Sequence, residues 1–72
     1  TLYLGTDDVS GMTSLSNRDL YQDLSQHLRT IQNLDGHPYT FYQKMGFTIV
    51  GVIPDANGRG KPDIMMAKRV GE

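Results

Sequence analysis

The sequence predicts an α/β fold in the order strand, helix, helix, strand, strand, closed by an antiparallel C-terminal hairpin. Three observations carry this prediction. A short apolar run, Leu2-Tyr3-Leu4, stops at Gly5 and reads as a buried strand. Leu20, Leu24, Leu28 and Ile31 recur at spacings of four, four and three, which makes one helical stripe. After Gly46, β-branched residues stand at 48, 49, 50, 52 and 53, and a second apolar run begins at Ile64; an Asn57-Gly58 pair lies between them and favours a hairpin.

Taken in order, residues 1–6 form the first strand. Thr6-Asp7-Asp8-Val9-Ser10-Gly11 opens a polar loop that continues to Asn17. A helix is expected from Arg18 to Gln32, capped by Ser16 or Asn17, with Asp19 and Asp23 suited to the positive end of its dipole and Arg29 to the negative end. Asp35-Gly36 breaks it. The second helix starts near Pro38, whose missing N–H would be unpaired there anyway. Pro38, Phe41, Tyr42 and Met45 share a face, so Phe41 is expected in the core and Tyr39 at the surface or rim. Gly46 supplies the left-handed cap. Residues 47–53 and 64–70 are the last strands, antiparallel to each other, with 54–62 as the turn. Three strands with helices on one face make an α/β half-domain, and residues 1–72 form one partial domain.

Composition limits the chemistry. With 72 residues, the chain buries only about 60% of its unfolded surface and is marginal as an independent fold. It has no cysteine and two histidines, so neither a disulfide nor a thiolate zinc site is available, and no metal centre is expected. A net charge of −1 provides no footprint for nucleic acid and no polybasic patch for a membrane. No apolar run approaches the roughly 20 residues of a membrane span. Thr1 to Gly5 lacks the basic start of a signal peptide and reads as a strand begun in its middle. The expectation is a piece of a longer cytoplasmic protein. The edge left open at 1–6 would invite pairing with another copy, so a homo-oligomer is expected.

His37-Pro38-Tyr39-Thr40-Phe41-Tyr42-Gln43-Lys44-Met45-Gly46-Phe47 resembles the late helix-to-strand motif of the GNAT acetyltransferase superfamily, commonly Phe-Tyr-x-Lys-x-Gly-Phe. Leu2-Tyr3-Leu4-Gly5-Thr6-Asp7-Asp8 looks like the strand that splays from its neighbour to admit the cofactor. Gly51 to Gly58, with Lys61-Pro62-Asp63-Ile64 and Met66-Ala67-Lys68, looks like the closing hairpin. In this order and spacing the segments are similar to the aminoglycoside 6′-N-acetyltransferases. The resemblance covers nearly the whole chain but only the C-terminal half of a GNAT fold. The family's pyrophosphate-binding pattern (Arg or Gln, x, x, Gly, x, Gly or Ala) does not occur. Gly58-Arg59-Gly60-Lys61 sits in a hairpin rather than at a strand-to-helix turn, and lacks the Ser or Thr of a phosphate loop.

The resemblance implies acetyl transfer from acetyl-CoA to a primary amine, with an aminoglycoside's 6′-amine as the expected acceptor. Tyr42 matches the family's general acid, which protonates the departing thiolate; a phenol with an ordinary pKa of about 10 suits that task. A core tyrosine with a satisfied hydroxyl is the alternative. Asp7 matches an aspartate that contacts the antibiotic, and Asp8 is its interchangeable neighbour. They sit where α/β sheets bind ligands, and acidic groups suit a polycation; alternatively they cap loop N–H groups. Lys44 is either a solvated helix residue or lies near cofactor phosphates. The family's coenzyme A-contacting asparagine position holds Asp35 here, with Asn33 as the substitute. His27 and His37 read as structural. The backbone of residues 3–6 would form one wall of the cofactor slot. Two further readings stand beside this one: a non-catalytic association module, and an N-acetyltransferase for another amine.

Overall fold

The computed structural model describes residues 1–71. Its elements are β1 (Leu2–Asp7), α1 (Leu24–Arg29), α2 (Tyr39–Lys44), β2 (Thr48–Ile53) and β3 (Asp63–Lys68). The sheet order is β1-β3-β2, so the last strand lies between the other two. It is antiparallel to both, and β1 and β2 therefore run parallel, joined by a connection that carries both helices. The expected order and the antiparallel hairpin are both present.

Register determines which face is covered. Leu4 and Thr6 of β1 lie opposite Met66 and Ile64, and Ile49 and Val52 of β2 lie opposite the same two residues. Directly opposed residues share a face. Ile49 and Val52 are three apart, so plain alternation would send them to opposite faces. A bulge between Ile49 and Gly51 corrects this by inserting one residue. Val50, the inserted residue, is 63% exposed.

Ile64 and Met66 are fully buried, and Leu15, Leu20, Tyr39 and Val52 complete the core. Leu4, Leu28, Ile31, Tyr42, Phe47 and Ile49 pack around it. The opposite face carries Tyr3, Met65 and Ile53, and Tyr3 is 78% exposed. The core is thus one-sided.

The long first helix is not formed. Residues before Leu24 are turns, and α1 spans only six residues. Asn17 and Asp23 both adopt left-handed backbone conformations, which Asn and Asp tolerate but a helix does not. The Asp19 carboxylate accepts from the Tyr21 N–H at 3.2 Å, a local alternative to helical bonding. The Asn17 N–H donates to the Gly60 carbonyl at 2.9 Å, which pulls this segment onto the β2–β3 turn. Gly60 is needed at that contact: its φ is +74°, and a Cβ there would sit 3.0 Å from the Asn17 Cα. The leucines are still used, since Leu15 and Leu20 plug the core from turns.

At α2 the buried face is rotated from the expected one. Tyr39 is buried, whereas Phe41 is 60% exposed and Met45 is also exposed. The inward pair is Tyr39 and Tyr42, spaced i, i+3. Gly46 caps the helix as expected, with φ +96°. The Gly46 N–H donates to the Gln43 carbonyl and the Phe47 N–H to the Tyr42 carbonyl, both at 3.0 Å, the bond pair of a Schellman ending.

No described helix is long and apolar enough to cross a membrane. The two faces of the sheet should differ in their response to truncation. Ile64→Ala is expected to cost about 2–5 kcal/mol. Tyr3→Ala, on the open face, is expected to stay within about 0.5 kcal/mol. Urea denaturation of both variants beside the parent chain measures the difference.

Candidate active site

The site region grows from the C-terminal end of β1. Asp7 is the last strand residue and is exposed, while Asp8 turns inward and is 1% exposed. One carboxylate oxygen of Asp8 accepts from the Met12 N–H at 2.8 Å. The other accepts from the Thr13 N–H at 2.8 Å and the Thr13 hydroxyl at 2.7 Å. Burial alone would push this carboxyl up. The hydrogen bonds from Met12 and Thr13 outweigh burial and hold it below the usual carboxylate range. Asp8 therefore organises the 8–15 loop, the capping role that stood as the alternative for this pair. Asp7 has no side-chain hydrogen bond among the described residues, so its carboxylate is the one open to a ligand.

The loop held by Asp8 leans on the segment before α2. Thr13 pairs with Asn33 in an isolated antiparallel bridge, and the Leu34 N–H donates to the Met12 carbonyl at 2.8 Å. The Asn33 amide is used inside the protein. Its oxygen accepts from the His37 N–H at 2.7 Å, and its nitrogen donates to the His37 carbonyl at 2.9 Å and the Thr40 hydroxyl at 3.1 Å. Asn33 thus fixes the start of α2.

His37 is 1% exposed. Its Nε2 lies 2.7 Å from the Asp7 carbonyl, and its Nδ1 lies 3.0 Å from the Tyr39 N–H. Its ring is tilted against that of Tyr39 at 5.6 Å. This arrangement decides which face of α2 looks inward and explains why Tyr39, not Phe41, is buried. Burial pushes the Tyr39 phenol up.

Tyr42 sits in the last turn of α2 and is half-buried. Its ring packs edge-on against Phe41 at 5.7 Å and Phe47 at 6.0 Å. The Phe47 contact is the apolar pairing that accompanies a Schellman ending, so the glycine cap also fixes the tyrosine. The Tyr42 hydroxyl makes no hydrogen bond among the described residues. Lys44 is exposed at the end of the same helix. Lys68 braces this end: its Nζ donates to the Met45 carbonyl at 2.8 Å and lies 5.9 Å from the centre of the Phe47 ring.

β1 is bonded to β3 on one side and to no described strand on the other. Alternate residues of an edge strand present free N–H and C=O groups. That suits an extended, amide-bearing arm, so the residues present fit the cofactor inferred from the sequence. A cleft of about 600 Å³ lies elsewhere, between the 17–21 turns and the β2–β3 turn, lined by Asn17, Arg18, Asp19, Tyr21, Asp55 and Gly60 among others; none of the predicted site residues lines it. Among the described residues no cluster of three or more His, Cys, Asp or Glu could hold a metal ion.

The edge strand, the short tyrosine-bearing helix and the closing antiparallel pair together make the C-terminal half of a GNAT fold. The chain superposes on the aminoglycoside 6′-N-acetyltransferase from Enterococcus faecium with a TM-score of 0.89 and 52% identity, covering 97% of this chain and 42% of that one. An aminoglycoside 6′-N-acetyltransferase complexed with coenzyme A matches with a TM-score of 0.86 and 51% identity, covering 96% of this chain and 41% of that one. The chain is thus similar to aminoglycoside 6′-N-acetyltransferases over nearly its whole length, and it spans less than half of theirs. No family model matches the chain, and no curated relative does.

The role of Asp8 has a pH consequence. A carboxyl with a lowered folded pKa stabilises the fold above its unfolded pKa, and that contribution is lost as pH falls through the folded value. Asp8→Asn is expected to destabilise the chain by about 1–3 kcal/mol at neutral pH, because it sets an amide against buried donors. The gap between parent and variant should close as the pH drops below the ordinary carboxylate range. Urea midpoints measured across that range check both the size and the sign.

Proposed function

We propose that the chain is the C-terminal part of an acetyl-CoA-dependent N-acetyltransferase whose acceptor is the 6′-amine of an aminoglycoside. The supporting observation is the half-buried Tyr42, with its hydroxyl free, held on a short capped helix beside an open edge strand. Two aminoglycoside 6′-N-acetyltransferases of like fold and sequence, one of them complexed with coenzyme A, support the same reaction.

The roles follow from position. Acetyl-CoA supplies the acetyl group as a thioester. The outer edge of β1 receives its amide-bearing arm. The amine nitrogen forms a bond to the acetyl carbon as the carbon–sulfur bond breaks, and the Tyr42 phenol gives its proton to the departing sulfur. The amine's surplus proton leaves to a base or water outside this chain. Asp7 pairs with an ammonium group of the acceptor, and Asp8 holds the loop that places it. Lys44, exposed at the end of α2, is available to the cofactor's phosphates. Asn33 acts through α2 and not by direct contact, since its amide is already engaged. The uncovered Tyr3–Met65–Ile53 face supports the reading that residues 1–72 are part of a larger domain. An acceptor screen with aminoglycosides, polyamines and protein amines fixes the substrate class.

In the full-length protein, Tyr42→Phe should lower kcat by roughly 10²-fold or more with little change in KM. Asp7→Asn should raise KM for the aminoglycoside by about tenfold, the scale of one charged hydrogen bond. Steady-state kinetics with both substrates varied reads both; an unchanged kcat for the first would remove the acid role.

A second reading rests on the same open edge. A strand with unpaired backbone groups pairs readily with another copy. The isolated 72-residue chain is then expected to sediment as a dimer or larger species, and a monomer at high concentration contradicts this.

A further inference from the structure

We propose that His37 is a positioning residue: a buried neutral imidazole that ties the acceptor end of β1 to the start of the helix bearing Tyr42. The inference rests on the acetyltransferase reading for its kinetic consequence, but the geometry of the tie stands without it.

The partners on the ring decide its protonation. The Tyr39 main-chain N–H lies 3.0 Å from Nδ1 and can only donate, so Nδ1 carries no proton. The Asp7 carbonyl lies 2.7 Å from Nε2 and can only accept, so Nε2 carries one. One neutral tautomer satisfies both bonds. The ring is 1% exposed, so water cannot replace either partner. The main chain of His37 is fixed as well, through Asn33, at 2.7 Å on its N–H and 2.9 Å on its carbonyl.

The two bonded groups belong to the two halves of the proposed site. The Asp7 carbonyl sits on the residue proposed to hold the acceptor's ammonium. The Tyr39 N–H lies in the first turn of α2, one helical turn before Tyr42. Among the described residues no other hydrogen bond joins Asp7 or Tyr39 across from β1 to α2, so this imidazole sets the distance between acceptor and acid. Lysine or arginine could donate to the carbonyl but could not accept from Tyr39. Serine could do both but is too short to span them. His37 touches neither substrate, and its influence on rate passes through Asp7 and Tyr42.

Two conservative variants cut one bond each. Asn places its amide oxygen near the Nδ1 position, keeping the acceptor for Tyr39 and losing the donor to Asp7. Gln places its amide nitrogen near the Nε2 position, keeping the donor to Asp7 and losing the acceptor. In the full-length protein, His37→Asn is expected to raise KM for the amine and His37→Gln to lower kcat, each by about tenfold. Equal effects of the two variants, or loss of folded protein with unchanged kinetics in what remains, would overturn the positioning role. Nitrogen-15 spectra of the unaltered full-length protein give a second measurement that depends on neither variant folding. They should show His37 protonated at Nε2 alone near neutral pH; an Nδ1–H tautomer or an imidazolium there overturns the tie. If the spectra agree while Tyr42→Phe and Asp7→Asn leave kinetics untouched, it is the acetyl-transfer reading that fails and not the tie.

Discussion

The polar joint beneath the end of β1 constrains most of what surrounds it. Asp8 gathers the N–H groups of Met12 and Thr13, Thr13 bridges to Asn33, Asn33 brackets His37, and His37 returns to the Asp7 carbonyl. The circuit closes on the strand it began from. Asp8, Thr13 and His37 are buried, where an unpaired polar group costs far more than a made bond gains. Such a circuit is intolerant of small shifts, which would serve the proposed pairing of the Asp7 carboxylate with the Tyr42 phenol.

This joint also shapes the apolar core. The chain is short, and its one-sided sheet offers few residues to bury. With the start of α2 locked, Tyr39 must turn inward, and Phe41, although more hydrophobic, is left outside. The Asn17 N–H bond to the Gly60 carbonyl does the same for the long connection. It holds the segment as turns, yet Leu15 and Leu20 still reach Ile64 and Met66. Hydrophobic burial supplies the stabilisation, while polar geometry decides which apolar side chains collect it.

The uncovered sheet face and the open edge of β1 belong together. An apolar face with Tyr3 largely exposed and an edge with unpaired backbone groups are liabilities for a free-standing domain. Both become useful when further structure covers the face and an extended ligand lies along the edge. Enzymes that share the chain's sequence and fold are more than twice its length, which is consistent with such cover.

Some of this was legible in the residues alone. The strand at Leu2-Tyr3-Leu4, the Gly46 ending of α2 and the antiparallel final pair followed from composition and turn chemistry, because each is fixed by neighbours in the chain. The Phe-Tyr-x-Lys-x-Gly-Phe pattern pointed to the fold. The rest lay beyond local pattern. The stripe at Leu20, Leu24, Leu28 and Ile31 suited a helix, but Asn17 and Asp23 are left-handed, and Asn17 bonds to a turn more than forty residues later. Asp7 and Asp8 were equivalent in sequence and became opposites in space, one exposed and one buried, because successive side chains at a strand end face opposite ways. His37 offered only a histidine before a proline; its partners are a carbonyl thirty residues upstream and an N–H two residues on. Local sequence determined which elements form and how they stop. Only the tertiary structure decided which polar groups are buried, since a hydrogen bond between distant residues leaves no periodicity to read.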